Sequence, residues 1–311
     1  SAEPVITNYI GSISNRGLEL AVDVDVIKNK DWRWNLGMNA TWMKNKVVRL
    51  PEQNRENGII DGIRKLSEGE GMYEFWLPQF VGVDQMTGNS LYLPNTTDYN
   101  VNGSAPDKDA IPAEHLVQIG DQYYTTFTTY AKRDFSGSAI PKVYGSFSTG
   151  LSYKNFSLSG LVTYAHGGKT YDYSYASLMS MSGSVGALHA DINKSWNGVP
   201  EGITETSANR IDPNGIPVID FFRSDKTNAS SSRFVQDGSY LVIKNIALGY
   251  RLPQTVIDRV NLNSVTLNLA VENLATFTKL QGMNPQQSFA GSSQNAYVTP
   301  RVFSFGLNVG F

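Results

Sequence analysis

The chain has 311 residues, 26 of them basic and 28 acidic, with no cysteine and three widely spaced histidines. The near-neutral balance excludes the basic stripe of a nucleic-acid binder. The lack of cysteine excludes a disulfide framework or a thiolate metal site, and the spacing of His115, His166 and His189 speaks against zinc.

No stretch approaches the ~20 apolar residues of a membrane-spanning helix. A membrane β-barrel alternates lipid-facing and lumen-facing residues, however, so its average hydropathy looks like that of a soluble protein. "SAEPVITNYI" is not a secretory signal. An exported protein would have lost its signal, or the chain is part of something larger.

Period two governs the chain from its first clear element. "LELAVDVDV" sets Leu18, Leu20, Val22, Val24 and Val26 on one face, opposite Glu19, Ala21, Asp23 and Asp25. After "KNKD", "WRWNLGMNATW" sets Trp32, Trp34, Leu36, Met38, Ala40 and Trp42 together, opposite Arg33, Asn35, Gly37, Asn39 and Thr41. Two alternating runs joined by a tight turn predict a hairpin. Tryptophans near strand ends fit an interfacial aromatic girdle. The acidic face reads as the lining of a wet lumen rather than as a catalytic carboxylate set.

The next stretch, 44–72, reads as a long irregular loop. "MYEFWLPQFVGVD" and "NSLYLP" predict a weaker hairpin around the turn signal "MTGN". In "DYNVNGSAPDKD", Asp98, Asn100, Asn102, the Ser104 carbonyl and Asp109 follow the spacing of a calcium loop, with Gly103 at the sharp turn. Asn at two ligand positions, Pro106 and a terminal Asp in place of Glu weaken that pattern, and a polar Asn/Gly/Asp turn is the competing reading. No cofactor is required; calcium in loop 98–109 is the one candidate.

"VYGSFSTGLSY" and "FSLSGLVTYAH" form the next predicted hairpin, turning at Lys154–Asn155. "YLVIKNIALGY", "VTLNLAVENLATF" and "VFSFGLNVGF" complete the alternating set. Between them, "PQTVIDRVNL" has a proline at a helix start and reads as a short helical turn. The runs are longer than the 5–6 residues of soluble strands and match the ~9–11 of a tilted strand crossing a bilayer. Short turns alternate with long loops at 44–72, 94–142, 167–238 and 276–297, the asymmetry of an outer-membrane barrel.

Loop aromatics are the candidate substrate contacts: Tyr73 and Trp76, Tyr123 and Tyr124, Tyr171, Tyr173 and Tyr175, and Trp196. Such rings stack on sugars or pack against peptides, but can equally pack the loops on each other or on a partner. "YDYSYASLMSMSG" suggests a partly helical loop. His166 with Ser152 or Asp172 lacks a nucleophile-elbow context, and no phosphate-binding glycine loop occurs, so no enzyme is expected.

The fold class expected is all-β: a transmembrane antiparallel β-barrel with long extracellular loops and short periplasmic turns. The strand count is seven, or nine with the weaker hairpin. Both are odd, whereas bacterial single-chain barrels have even numbers, and an open sheet leaves unpaired edges in lipid. The expectation is therefore a C-terminal portion of a larger barrel.

"NRGLEL", "GVDQMTGNSLY", "IPKVYGSFSTGLSYKNFSLSG", "YLVIKNIALGYRLP", "LAVENLATFTK" and "RVFSFGLNVGF" occur in this order. Together they resemble the C-terminal barrel half of SusC/RagA-type TonB-dependent outer-membrane transporters of Bacteroidetes. The resemblance implies a 22-stranded barrel with an N-terminal plug, which residues 1–311 do not include. It implies a SusD-like surface lipoprotein as partner and import of glycans or peptides energised through TonB via that plug. It implies a bacterial outer-membrane location with the C-terminus periplasmic, and a terminal Phe311 read by the barrel-assembly machinery. A secreted glycan-binding or adhesin β-protein and a passive porin are the alternatives.

Overall fold

A computed structural model describes residues 11–95, 111–180, 186–220, 228–260, 262–286, 291–292 and 297–311. Seven long strands form one antiparallel sheet: β1 (Ser12–Lys28), β2 (Trp32–Arg49), β3 (Val143–Tyr153), β4 (Phe156–His166), β5 (Tyr240–Arg251), β6 (Ser264–Thr278) and β7 (Val302–Gly310). Their spatial order is their chain order, so the wall is a simple meander. Among the described residues no helix is long and apolar enough to cross a membrane.

The register carries the predicted alternation across the whole wall. One row runs Trp34, Leu151, Leu158, Leu248, Leu269, Phe305 through five successive pairings. The row beside it runs Trp32, Tyr153, Phe156, Tyr250, Leu267, Leu307. Trp32 lies 4.1 Å from Tyr153 and Phe156 4.5 Å from Tyr250, centroid to centroid. This is an aromatic band at the short-turn end, as the girdle reading expects. The apolar face stays uncovered: Leu18 is 67% exposed and Phe303 71%. On the other face Asn39 exchanges two hydrogen bonds with Ser146, and Asp23 lies opposite Gly37.

The tight turns hold one another. Asn29 accepts from the Asp31 and Trp32 amides through its side chain. Lys154, with φ of 49°, donates its amide to Asp31. The Asn155 side chain donates to the Arg251 carbonyl. The turn after β5 contains the expected short helix at Gln254–Ile257, with Pro253 at its N-cap and Ile257 buried beneath it.

Three features differ from expectation. First, β2 continues to Arg49, past the predicted loop boundary at 44, because "KNKVVR" keeps pairing back to Ser12. At ~3.3 Å per residue, strands of 17 and 18 residues exceed what a ~30 Å hydrocarbon layer needs, so this hairpin projects beyond it. Second, β5 and β6 change register midway. Ile243 and Asn245 of β5 face adjacent residues of β4 but Ala275 and Glu272 of β6. Each strand therefore carries one residue more than its predecessor at this level, a bulge marked by Asn273 at φ of 51°. Lys244 donates there to Asn273 and Gln286, and Gln286 reaches Thr163 on β4.

Third, the long loops are folded. One four-stranded sheet joins Arg133–Ser138, Glu74–Pro78, Arg64–Leu66 and Ile59–Asp61. A five-stranded sheet joins Ile211–Asp212, Phe80–Asp84, Ser90–Tyr92, Gln122–Thr125 and Leu116–Ile119. The weaker hairpin exists, as Phe80–Asp84 with Ser90–Tyr92, but belongs to this loop sheet, so the wall has seven strands rather than nine. A cluster of Phe75, Leu77, Ala139, Tyr171 and Phe234 is buried in the loops.

Candidate functional site at the long-loop rim

The turn "DQMTGN" shows how the loops are fastened. Asp84 is fully buried and accepts from the Met86 amide and the Thr87 hydroxyl. Arg210, from a loop more than a hundred residues away, donates to both its oxygens at 2.8 and 2.9 Å. Burial works against the Asp84 charge, but the bonds from Arg210, Met86 and Thr87 prevail and hold its pKa below the usual carboxylate range. Gly88 has φ of 73°, and its missing side chain leaves room for the Trp196 ring. The Trp196 indole donates to the Gln85 carbonyl at 2.7 Å.

The aromatic candidates therefore divide. Trp196 is half-buried and clamps this turn. Tyr171 is 1% exposed inside the loop core, its hydroxyl 2.8 Å from that of Ser230, and burial pushes its pKa up to about 12. Tyr73 packs on the same core beneath the Arg64 guanidinium. Trp76 lies edge-on to Phe135, with the Lys65 ammonium 4.1 Å from its ring centre. Tyr123 and Tyr124 are half-buried in the strand Gln122–Thr125. Of the eight, Tyr173 is exposed, at 46%, and stands edge-on to Tyr171.

Tyr175 occupies a different setting. It lies on helix α1 (Tyr173–Leu178), whose N-cap Asp172 accepts from the Tyr175 amide. Its ring meets Phe234 on the core side and His189 at 81° on another. Its hydroxyl donates to Asp191, which also accepts from Lys194 at 2.6 Å. Sequence reasoning missed His189, Asp191, Gln236 and Gln281, which gather around this helix. His189 and Asp191 share one segment, but Gln236 and Gln281 come from two others far away in sequence, so no local signal marks the group.

The remaining candidates are elsewhere. Asp98, Asn100, Asn102, Ser104 and Asp109 lie outside the described residues. Among the described residues no three His, Asp or Glu side chains gather as a metal site would require. Phe311 follows β7 and is 89% exposed. His166 meets neither Ser152 nor Asp172; its Nδ1 lies 3.4 Å from the Ser239 hydroxyl, which donates to Asp237. With the hydroxyl between the acid and the imidazole, the order is wrong for activating a nucleophile.

The chain is 27% identical over 322 residues to TonB-dependent receptor P3 of Formosa agariphila, matching 97% of this chain and 29% of that protein. It is 23% identical over 310 residues to TonB-dependent receptor SusC of Bacteroides thetaiotaomicron, matching 98% of this chain and 27% of SusC. The fold matches the structure of the RagAB peptide transporter with a TM-score of 0.71 at 20% identity, over 97% of this chain and 30% of that one. Over nearly its whole length the chain is thus similar to TonB-dependent receptors, SusC among them, and shares the fold of the matching part of RagAB. The chain spans under a third of the length of the relatives it matches. No protein-family model matches it. The relatives are receptors and transporters by name, not enzymes, and TonB-dependent receptors reside in the outer membrane.

Proposed function

We propose that these residues form part of the wall and the substrate-contacting loops of an outer-membrane nutrient importer. The uncovered apolar face, continuous across seven strands with an aromatic band at one end, supports it, because only lipid satisfies such a surface on so many long strands. In this reading the short turns face the periplasm and the folded loops face outward. The remainder of the barrel pairs with the free edges of β1 and β7 and carries the plug.

A SusD-like lipoprotein covers the loop side, and TonB energises import through the plug. The cargo is an oligosaccharide or an oligopeptide. The experiment is expression of the intact receptor with its lipoprotein in cells with and without TonB. Outer-membrane fractionation, heat-modifiable migration and TonB-dependent uptake are expected. A protein that stays soluble without detergent, or uptake indifferent to TonB, overturns the reading.

A further inference from the structure

Cations in the loops have answering charges. Lys132, Lys194 and Arg210 each hold a carboxylate, at 2.9, 2.6 and 2.8 Å. The β1–β2 hairpin differs. Arg16 lies directly opposite Lys44, and Lys46 follows two residues on, opposite Ser14. All three are exposed, and among the described residues none forms an ion pair. Like charges directly opposite on a sheet stand ~4.5–5.5 Å apart at Cβ and repel. The hairpin thus carries a repulsion that a bound anion relieves.

The register fixes the face that bears these cations. Leu18 and Trp42 are the next pair on it, 67% and 41% exposed, and belong to the apolar face of the wall. The loops lie against the other face. There the Asn45 side chain donates to Asn15 and accepts from the Met72 amide, and Val47 is buried. Nothing acidic shares the cations' face at this level: its residues are Ser14, Arg16 and Leu18 on β1 and Trp42, Lys44 and Lys46 on β2.

Their height follows from two tryptophans. Trp32 and Trp42 stand on one face of β2, ten residues apart. That is about 33 Å along the strand, or about 25 Å of height at a tilt of about 40°, which matches the apolar band of a membrane barrel. Trp32 belongs to the aromatic band at the short-turn end, so Trp42 marks the opposite boundary. Lys44 and Lys46 then stand about 5 and 10 Å above that boundary, at headgroup level. A ligand that fits is anionic at the top and apolar below. The Arg16 fork matches a phosphate, and the exposed Leu18 and Trp42 beneath it suit acyl chains. A free anion would leave that apolar surface unused.

We propose that Arg16, Lys44 and Lys46 form a site for the phosphate headgroup of an outer-leaflet glycolipid whose acyl chains lie on Leu18 and Trp42, in the orientation given by the import reading. The test is native mass spectrometry of the intact receptor with its lipoprotein in detergent. The probes are phosphorylated lipid A, dephosphorylated lipid A and inorganic phosphate. The parent should prefer the phosphorylated lipid. Arg16→Gln/Lys44→Gln/Lys46→Gln should weaken its binding by about fivefold for each charge removed. Lys44→Glu gives Arg16 a carboxylate from within the hairpin, so it should assemble at the parent level and still lose the preference. Lys132→Gln/Lys194→Gln/Lys279→Gln removes as many charges from the loops and should keep it.

No preference in the parent, or the same preference in Lys44→Glu, overturns the site. An equal loss in the loop variant shows a response to net charge alone and overturns it too. Inorganic phosphate held as tightly as the lipid overturns the lipid as occupant. Outer-membrane fractionation and TonB-dependent uptake by the parent decide the import reading separately.

Discussion

The wall and the loop cap are built on opposite rules. In the wall the large apolar side chains are the exposed ones: Phe305 is 70% exposed and Leu269 52%. In the cap Phe75 and Phe234 are fully buried, and the bidentate Asp84–Arg210 ion pair is largely buried too. The cap folds as a water-soluble protein folds, around a core it supplies itself. The wall supplies half of an apolar contact and leaves the other half to lipid. Burial measured on this chain therefore describes the cap's stability and understates the wall's.

The comparison breaks most sharply at the cap core. Phe234→Ala should cost about 3–5 kcal/mol of cap stability by leaving a cavity. Limited proteolysis should then cut the loops while heat-modifiable migration, a property of the wall, persists. Loss of both together would show that cap and wall fold as one unit.

A second test uses neighbours on opposite faces of one strand. Leu269→Arg should cost about 2–4 kcal/mol if its level lies at the bilayer centre and should lower the assembled receptor in the outer membrane. Asn268→Arg, one residue away on the polar face, should stay within about 0.5 kcal/mol. Equal losses would mean that the two faces are not lipid and lumen.

A third concerns the register step. Asn273 has positive φ, so Asn273→Val should cost about 1–2 kcal/mol, whereas Asn273→Gly should cost far less. Urea denaturation of the refolded receptor compares the two.

The smallest effect is on pH. Asp84, Asp191 and Asp237 have pKa values lowered in the fold, the first against its burial by Arg210, the second by Lys194, the third by Ser239. The stabilisation they give is complete above the unfolded carboxylate value of about 4 and is lost as pH falls through their lower folded values. Glu74, raised by burial and by nearby Glu70, works the other way. Hydrogen exchange should show the cap loosening below about pH 4 while the wall amides stay protected.

The wall was legible because β2, β3 and β7 each repeat one period for nine residues or more, and the tight turns carry their own residues. The cap was not, because its strands run two to six residues and their partners lie far away in sequence. Two residues show too little of a period to be read. Phe75, Tyr171 and Phe234 meet in one core although about 60 to 160 residues separate them, and no window spans that. Tyr171 looked like a ligand contact because sequence shows an aromatic ring without showing what lies around it. The register step leaves a faint mark in "YLVIKNIALGY": Leu241 and Ile243 are odd-numbered and Ile246, Leu248 and Tyr250 even-numbered, but Val242 between the first two blurs the change of phase.

That step has a geometric consequence. Read from β4 through β5 to β6, the same height of wall contains progressively more chain. Adding length on one side only is what a tailor's gore does to cloth: strands above the insertion take a new heading relative to those below. Because strand tilt and barrel girth are linked, the aperture at the loop end is not dictated by the girth at the turn end. Lys244, bonded across the step to Asn273 and Gln286, is the stitch that holds the flare.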